Sequence, residues 1–457
     1  MVALSERKIE IVRTLVEAAP DRVVGGLQQA LAESAGDPLL AAVRKLVETE
    51  AQDRRLRNAV LQPIAPMCVG DGRSASRLTF PARALALAWR GLKSQAGLEV
   101  EEAAALLADF RPDESSPDPF DKLAAFAAAG LRAREDRDFD AAARLCDEAR
   151  PEGAAVLCAC LDLAPVVRAA TLRLGEWISR TTDENTAAVR VAYKDAVAVA
   201  EDAGPRFFEM LAAQLAHPWM ALRIISAEMD RPTDKYLAGS ELAGFALRLM
   251  DEVDNNLAAI ARLDVGGGPR AGRAAGQLVE SVTQQIAELE QSIELDREGA
   301  WGNRVARHKQ SLASVVESRL REAEKAVAEA LPMQAVRIAK LVRHVPVIEG
   351  EPDPRAVNRA LTLLHFSHEI RSSANYGGFA SKRAKVIETL GEMLDKYVEE
   401  VLERIRGAEV EDEPAAQFLA VVADFNVLLR GDKAGEIVRR RCAAALAAEK
   451  IAAAEVE

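Results

Sequence analysis

Aromatic side chains are scarce: they make up 4% of a sequence in which 49% of residues are hydrophobic. The apolar content is therefore mostly Ala, Leu and Val, which favours closely packed helices over β-sandwiches. Cysteine is sparse and odd in number, five in 457 residues, so a disulfide framework is not expected and the thiols should be reduced. Long apolar runs are missing as well; no stretch of about 18 apolar residues occurs, which argues against a membrane-spanning helix. The charges of Glu6, Arg7 and Lys8 fall where a secretory leader needs its apolar stretch. Nor is positive charge in excess: the formal net charge is −12, and broad binding to nucleic acid or anionic lipid needs clustered cations. The expectation is a cytoplasmic, all-α chain with no nucleic-acid partner and no membrane insertion.

What is abundant is charge of both signs at helical spacing. Arg54-Arg55-Leu56-Arg57, following Glu48 and Glu50, reads as a solvated helix face with pairs three or four residues apart. A chain of this length exceeds the size at which one core keeps growing, so several domains or an extended helical array are expected. Apolar positions recur near every 3.6 residues and the breaks are short. This predicts a multi-helical array of short antiparallel helices, solenoid-like or an irregular bundle, followed by long helices forming a hairpin or bent arm. The breaks mark an N-terminal helical region 1–110, a Pro-rich linker 111–119, a helical-hairpin region 120–264 and a Gly-rich joint 265–272. After them come a long hairpin or kinked arm 273–331 and a C-terminal helical bundle 332–457. That bundle is expected to open with a short helix from Pro332 to His344, and no sheet is expected anywhere.

Within 120–264, Phe126, Gly130, Ala142 and Ala149 stand where a tetratricopeptide hairpin carries its bulky and small packing residues, with Asp138-Phe139-Asp140 at the reversal. The segment resembles one such repeat, and the resemblance implies that Phe126 fills the gap beside Gly130 and Ala142. Ala133 occupies the second aromatic position, and one period later Ala164 and Glu176 fall on the small sites. A single helical hairpin is therefore the expectation. Further on, Val282, Ile286, Leu289 and Ile293 form a stripe of coiled-coil type, and a second stripe runs through Val305, Leu312, Val316, Leu320, Ala323 and Val327. Continuing the first spacing would bury Asp296, Asn303 and Arg307, so a break near Gly299 to Asn303 costs less.

Candidates for chemistry are few. The glycines from Val265 to Gly272 follow a helical pattern and lack the Gly-Lys-Ser/Thr ending of a phosphate loop. Cys158 and Cys160 have no second Cys or His pair and read as core-lining thiols. His365 and His368, three apart, share a helix face and are the candidate metal ligands; with no third ligand in view, no metal or other cofactor is expected. The run Phe366-Ser367-His368-Glu369-Ile370-Arg371-Ser372-Ser373-Ala374-Asn375 resembles the phosphoacceptor box of sensor histidine kinases. That resemblance implies His368 as phosphoacceptor, Glu369 as general base and Asn375 as its polar neighbour. Ser373 stands where the family has Pro, and the about eighty residues that follow carry none of the Gly-rich and Asn-rich boxes of an ATP-binding domain. A phosphotransfer relay is implied, not a kinase.

Taken together, the sequence reads as a non-enzymatic scaffold, adaptor or assembly factor that engages partner proteins, or further copies of itself, through helices. The alternatives are the relay at His368 or an enzyme whose site is assembled from separated helices without a linear motif. Far-ultraviolet circular dichroism should be dominated by helix; a spectrum that requires a large strand fraction would overturn the fold class.

Overall fold

Closely spaced small residues allow short helices to pack, and each short helix brings two ends whose backbone groups need partners. The computed structural model describes residues 6–33, 40–70, 77–107, 118–180, 182–338 and 341–454. Among them are twenty α-helices and one two-stranded antiparallel sheet, so the chain is all-α and multi-helical. It divides into two units between Pro232 and Thr233. Residues 111–117 of the expected linker lie outside the described residues, and Asp118 and Pro119 already form the first turn of a helix.

The first unit holds α1 (Glu6–Ala18), α2 (Asp21–Glu33), α3 (Ala41–Val60), α4 (Ala82–Gln95), α5 (Gly97–Leu107) and α6 (Asp118–Ala133). These are followed by α7 (Arg137–Ala149), α8 (Gly153–Asp162), α9 (Ala164–Ser179), α10 (Asp183–Val199), α11 (Ala203–Ala213) and α12 (Ala221–Glu228). The second unit holds α13 (Asp234–Ala238), α14 (Ala243–Ala261), α15 (Gly268–Ser292), α16 (Ala300–Ala330), strands β1 (Met333–Ile338) and β2 (Leu341–Pro346), α17 (Pro354–Glu369), α18 (Ala380–Arg406), α19 (Asp412–Arg430) and α20 (Asp432–Ala454). No single described helix is long and apolar enough to cross a membrane; α8 and α9 meet that test only as a pair, bent by 64°.

Arginines from neighbouring helices close many of the helix C-termini. Arg54, 7% exposed and not on a solvated face as its sequence suggested, donates to the carbonyls of Val16, Glu17 and Ala19 at the end of α1 and pairs with Asp21 and Glu50. Arg168, 6% exposed, spans the Ala59 and Val60 carbonyls at the end of α3, each at 2.7 Å, and reaches Asp121 on α6. Burial lowers its pKa, and Asp121 opposes that shift. Arg223 reaches Ile178 at the end of α9, Arg190 reaches Ala227 and Met229 at the end of α12, and Arg319 reaches Ala261 at the end of α14.

The segment 120–149 forms two helices, but their packing differs from a tetratricopeptide hairpin. Phe126 is 46% exposed. The gap beside Gly130 is filled by Phe139, which also fits against Gly91 of α4. Accordingly α7 packs mainly on α4, and α6 on α8. The reversal lies at Arg134 to Asp136: Arg134 has φ +55°, and Asp136 caps α7 through the backbone N–H groups of Asp138 and Phe139.

In the second unit, the stretch expected to be a flexible joint is largely a packing seam. Only Arg262 to Gly267 separates α14 from α15. Gly268, Gly272 and Gly276 recur every fourth residue on α15 and lie against Asn358, Thr362 and Glu369 of α17. A Cβ at Gly272 would stand 2.0 Å from the Thr362 carbonyl oxygen, and one at Gly276 would stand 2.3 Å from the Glu369 Cβ. The two helices approach as closely as bare backbone permits.

The chain breaks between Ser292 and Ala300, just ahead of the expected position, and Gly302 and Asn303 lie inside α16. The apolar stripes on either side are buried, from Val282 to Ile293 and from Val305 to Val327. They do not chiefly cover one another: α15 packs on α17 and α14, and α16 packs on α17, α14 and α18. Contrary to expectation, Met333–Ile338 and Leu341–Pro346 form two antiparallel strands and not a helix, with Val336 opposite Arg343 and Gln334 opposite Val345. Val336, Ile338, Val342 and Val345 favour extended backbone. Arg404 of α18 donates to the Pro346 carbonyl, and Arg343 pairs with Glu400 and Glu403.

Gly272→Ala should destabilise the second unit by roughly 2 kcal/mol or more, because the obstructing atom is backbone and cannot rotate away. Gly175→Ala on α9 has nothing within 4 Å of its Cβ and should instead stabilise by about 0.5–1 kcal/mol. Arg168→Met should cost about 3 kcal/mol by stranding two buried carbonyls and Asp121. Chemical denaturation of the full chain reads all three.

Candidate functional site

The C-terminal turn of α17 carries the sequence-derived candidates, and the glycine seam fixes that helix in place. The structure spreads them over three directions. His365 is half-buried and points to α15, where its Nδ1 lies 3.5 Å from Arg273. Burial, then Arg273 and His368, lower its pKa, so the ring is neutral near pH 7. His368 is exposed and turns to α19, its Nδ1 3.1 Å from the Leu428 carbonyl oxygen. A carbonyl only accepts, so Nδ1 is the donor in this contact and Nε2 is not used in it. Glu369 packs against Gly276 of α15, and Asn375 is exposed in the turn after α17. The two histidine rings thus address different helices. Among the described residues no group of three or more His, Cys, Asp or Glu is placed to hold a metal.

His368 opens onto a cleft of about 730 Å³ between the end of α17, the start of α18 and the end of α19. Its walls carry Arg371, Arg383 and Arg430, none of which sequence reasoning singled out, together with Ile387, Leu428 and Leu429. Arg383 donates Nε to the Ser367 carbonyl near the end of α17, a further arginine cap. Arg430 is held by Asp395 and lies flat over Gly391, where a Cβ would meet its guanidinium at 2.2 Å. The one available sequence signal was Arg371, three residues after His368 on the same turn.

No known protein family, curated protein or solved structure matches this chain.

Cys146, Cys158 and Cys160 are buried in the core of the first unit and His308 in that of the second. Cys158 donates to the Ala128 carbonyl, and burial pushes Cys158 up to about 11 and Cys146 and Cys160 up to about 12, so these thiols are unreactive at neutral pH. His308 on α16 is 2% exposed; its Nε2 lies 2.8 Å from Asp254 of α14, and its buried Nδ1 has no partner. Burial lowers its pKa and outweighs the attraction of Asp254. Asp254 itself is pushed up by burial, but Arg304 and His308 more than reverse this and hold it below the usual carboxylate value.

These shifts set a pH dependence. A neutral His308 in the fold and a protonated one in the unfolded chain mean that stability falls as pH drops below about 6.5. The Asp254 contribution is lost only further down, below about 4. His308→Gln should flatten the first slope in chemical denaturation between pH 7.5 and 5.5 and leave the second in place; an unchanged first slope would assign it to other groups.

Proposed function

We propose that the chain is a non-enzymatic scaffold or adaptor of the cytoplasm that works through helical protein–protein contacts. The observation that carries this reading is an open groove on the first unit, about 1020 Å³ in volume, walled by α3, α5 and α9. Leu56, Val100, Ala104, Leu107 and Leu172 line it, and Leu172 is 39% exposed. Asp53, Arg55 and Glu101 also border it. An apolar floor with a charged border suits an amphipathic helix laid in by its apolar face. Crosslinking and mass spectrometry of the full chain captured from its native lysate should place a partner's helix, or a second copy's, against α3, α5 or α9. Leu172→Glu should abolish that crosslink with the fold intact; crosslinks unaffected by the substitution would overturn the reading.

A second reading, phosphotransfer at His368, is favoured by one observation: the Leu428 carbonyl holds Nδ1 of an exposed His368, and Nε2 is left without a partner among the described residues. In such a transfer the Nε2 lone pair attacks a phosphoryl phosphorus, an N–P bond forms and the donor's P–O bond breaks with its electron pair leaving on oxygen. The Nδ1 proton stays on the ring, so the step needs no base, in keeping with the place of Glu369 against α15. Incubation with acetyl phosphate should give acid-labile phosphate that is absent from His368→Gln; label that survives the substitution would sink this reading.

A further inference from the structure

Arg371 and Arg383 differ from the other arginines of the fold. In Arg54 and Arg168 every nitrogen is committed to backbone carbonyls or carboxylates. Arg383 uses only Nε, on Ser367, and its two terminal nitrogens have no acceptor among the described residues. Arg371 is exposed and has no carboxylate partner there. The two guanidiniums border the same cleft. Burial, and then the like charge of Arg371, depress the pKa of Arg383, so the pair repels and one member is half-desolvated.

The remaining charges do not relieve this. Arg430 brings a third guanidinium, already neutralised by Asp395. Glu388 and Glu392 also border the cleft, but neither forms an ion pair with Arg371 or Arg383. Glu392 lies nine residues along α18 from Arg383, about 13 Å at the helical rise. The cleft therefore has Arg371 and Arg383 unpaired at its α17 end, with Ile387, Leu428 and Leu429 giving it an apolar wall.

We propose that this cleft binds the phosphate group of a small phosphomonoester, with the free guanidinium nitrogens of Arg371 and Arg383 as its ligands. A tetrahedral dianion accepts several charge-assisted hydrogen bonds at once and supplies the counter-charge that the described residues do not. The volume suits a small molecule, and the apolar wall gives its organic part a surface. The site is independent of both readings above, because the groove lies in the other unit and the guanidiniums can bind an anion without any transfer to His368.

The test is a titration of the full chain with inorganic phosphate and with phenyl phosphate, at ionic strength held constant with potassium chloride. Phosphorus NMR line broadening and the thermal midpoint are the two readouts. Saturable broadening and a raised midpoint are expected for the wild type, with sulfate competing. Arg371→Gln, on an exposed side chain, should weaken binding about tenfold or more, and Arg383→Lys should do the same by losing the planar fork. His368→Gln should stay within about threefold of the wild type, because it leaves both guanidiniums in place. Should Arg383→Lys fail to fold, Arg371→Gln decides alone. A response no larger than that to potassium chloride overturns the proposal, and so does wild-type affinity in Arg371→Gln or loss confined to His368→Gln.

Discussion

A helix that ends inside a protein leaves its last carbonyls without donors, and a chain of short helices has many such ends. The residues that fill this core, Ala, Leu and Val above all, have nothing to donate. Here the shortage is met by long side chains that reach across from other helices: Arg54 to α1, Arg168 to α3, Arg223 to α9, Arg190 to α12, Arg319 to α14 and Arg383 to α17. Each guanidinium meets the negative end of a helix dipole as well as its open acceptors. The packing of both units depends on this exchange, because an uncapped end could not be buried at tolerable cost.

The same device bears on the candidate site. Arg383 is fixed to the end of α17 by Nε, which leaves its two terminal nitrogens free at the edge of the cleft. The base of α17 is immobilised from the opposite side by Gly272 and Gly276. His368 therefore stands on a helix that is gripped along one face and capped at its end.

Periodicity revealed the helices and the two buried stripes of α15 and α16, because 3.6-residue spacing is a local property of sequence. It could not show which helix faces which. The Phe126 expectation failed for that reason: Gly130 does mark a close approach, but the ring that enters it is Phe139, from the next helix. The glycines that open α15 looked like a joint because their partners, Asn358 and Thr362, lie some ninety residues away. A helix was read where β1 and β2 pair: Val336, Ile338, Val342 and Val345 favour extended backbone, but at this length alternation and helical spacing overlap. At the site, His368 drew notice through its neighbours in sequence, whereas Arg383 and Arg430 reach the cleft from other helices and carry no local mark. A run such as Arg54-Arg55-Leu56-Arg57 looks the same whether its first member is solvated or buried.

The sequence holds 45 arginines and 14 lysines. Arginine suits the caps, since a planar fork can span the carbonyls of consecutive residues such as Ala59 and Val60, and an ammonium cannot do so with the same geometry. One consequence concerns covalent modification. Acetylation acts on amines, and none of these helix ends is closed by an amine. Acylating the lysines would alter the outer charge of the protein and remove exposed pairs between helices such as Lys93–Asp53 and Lys382–Glu317, but leave the caps in place, whereas reagents that attack guanidines, such as dicarbonyls, would work on the caps themselves.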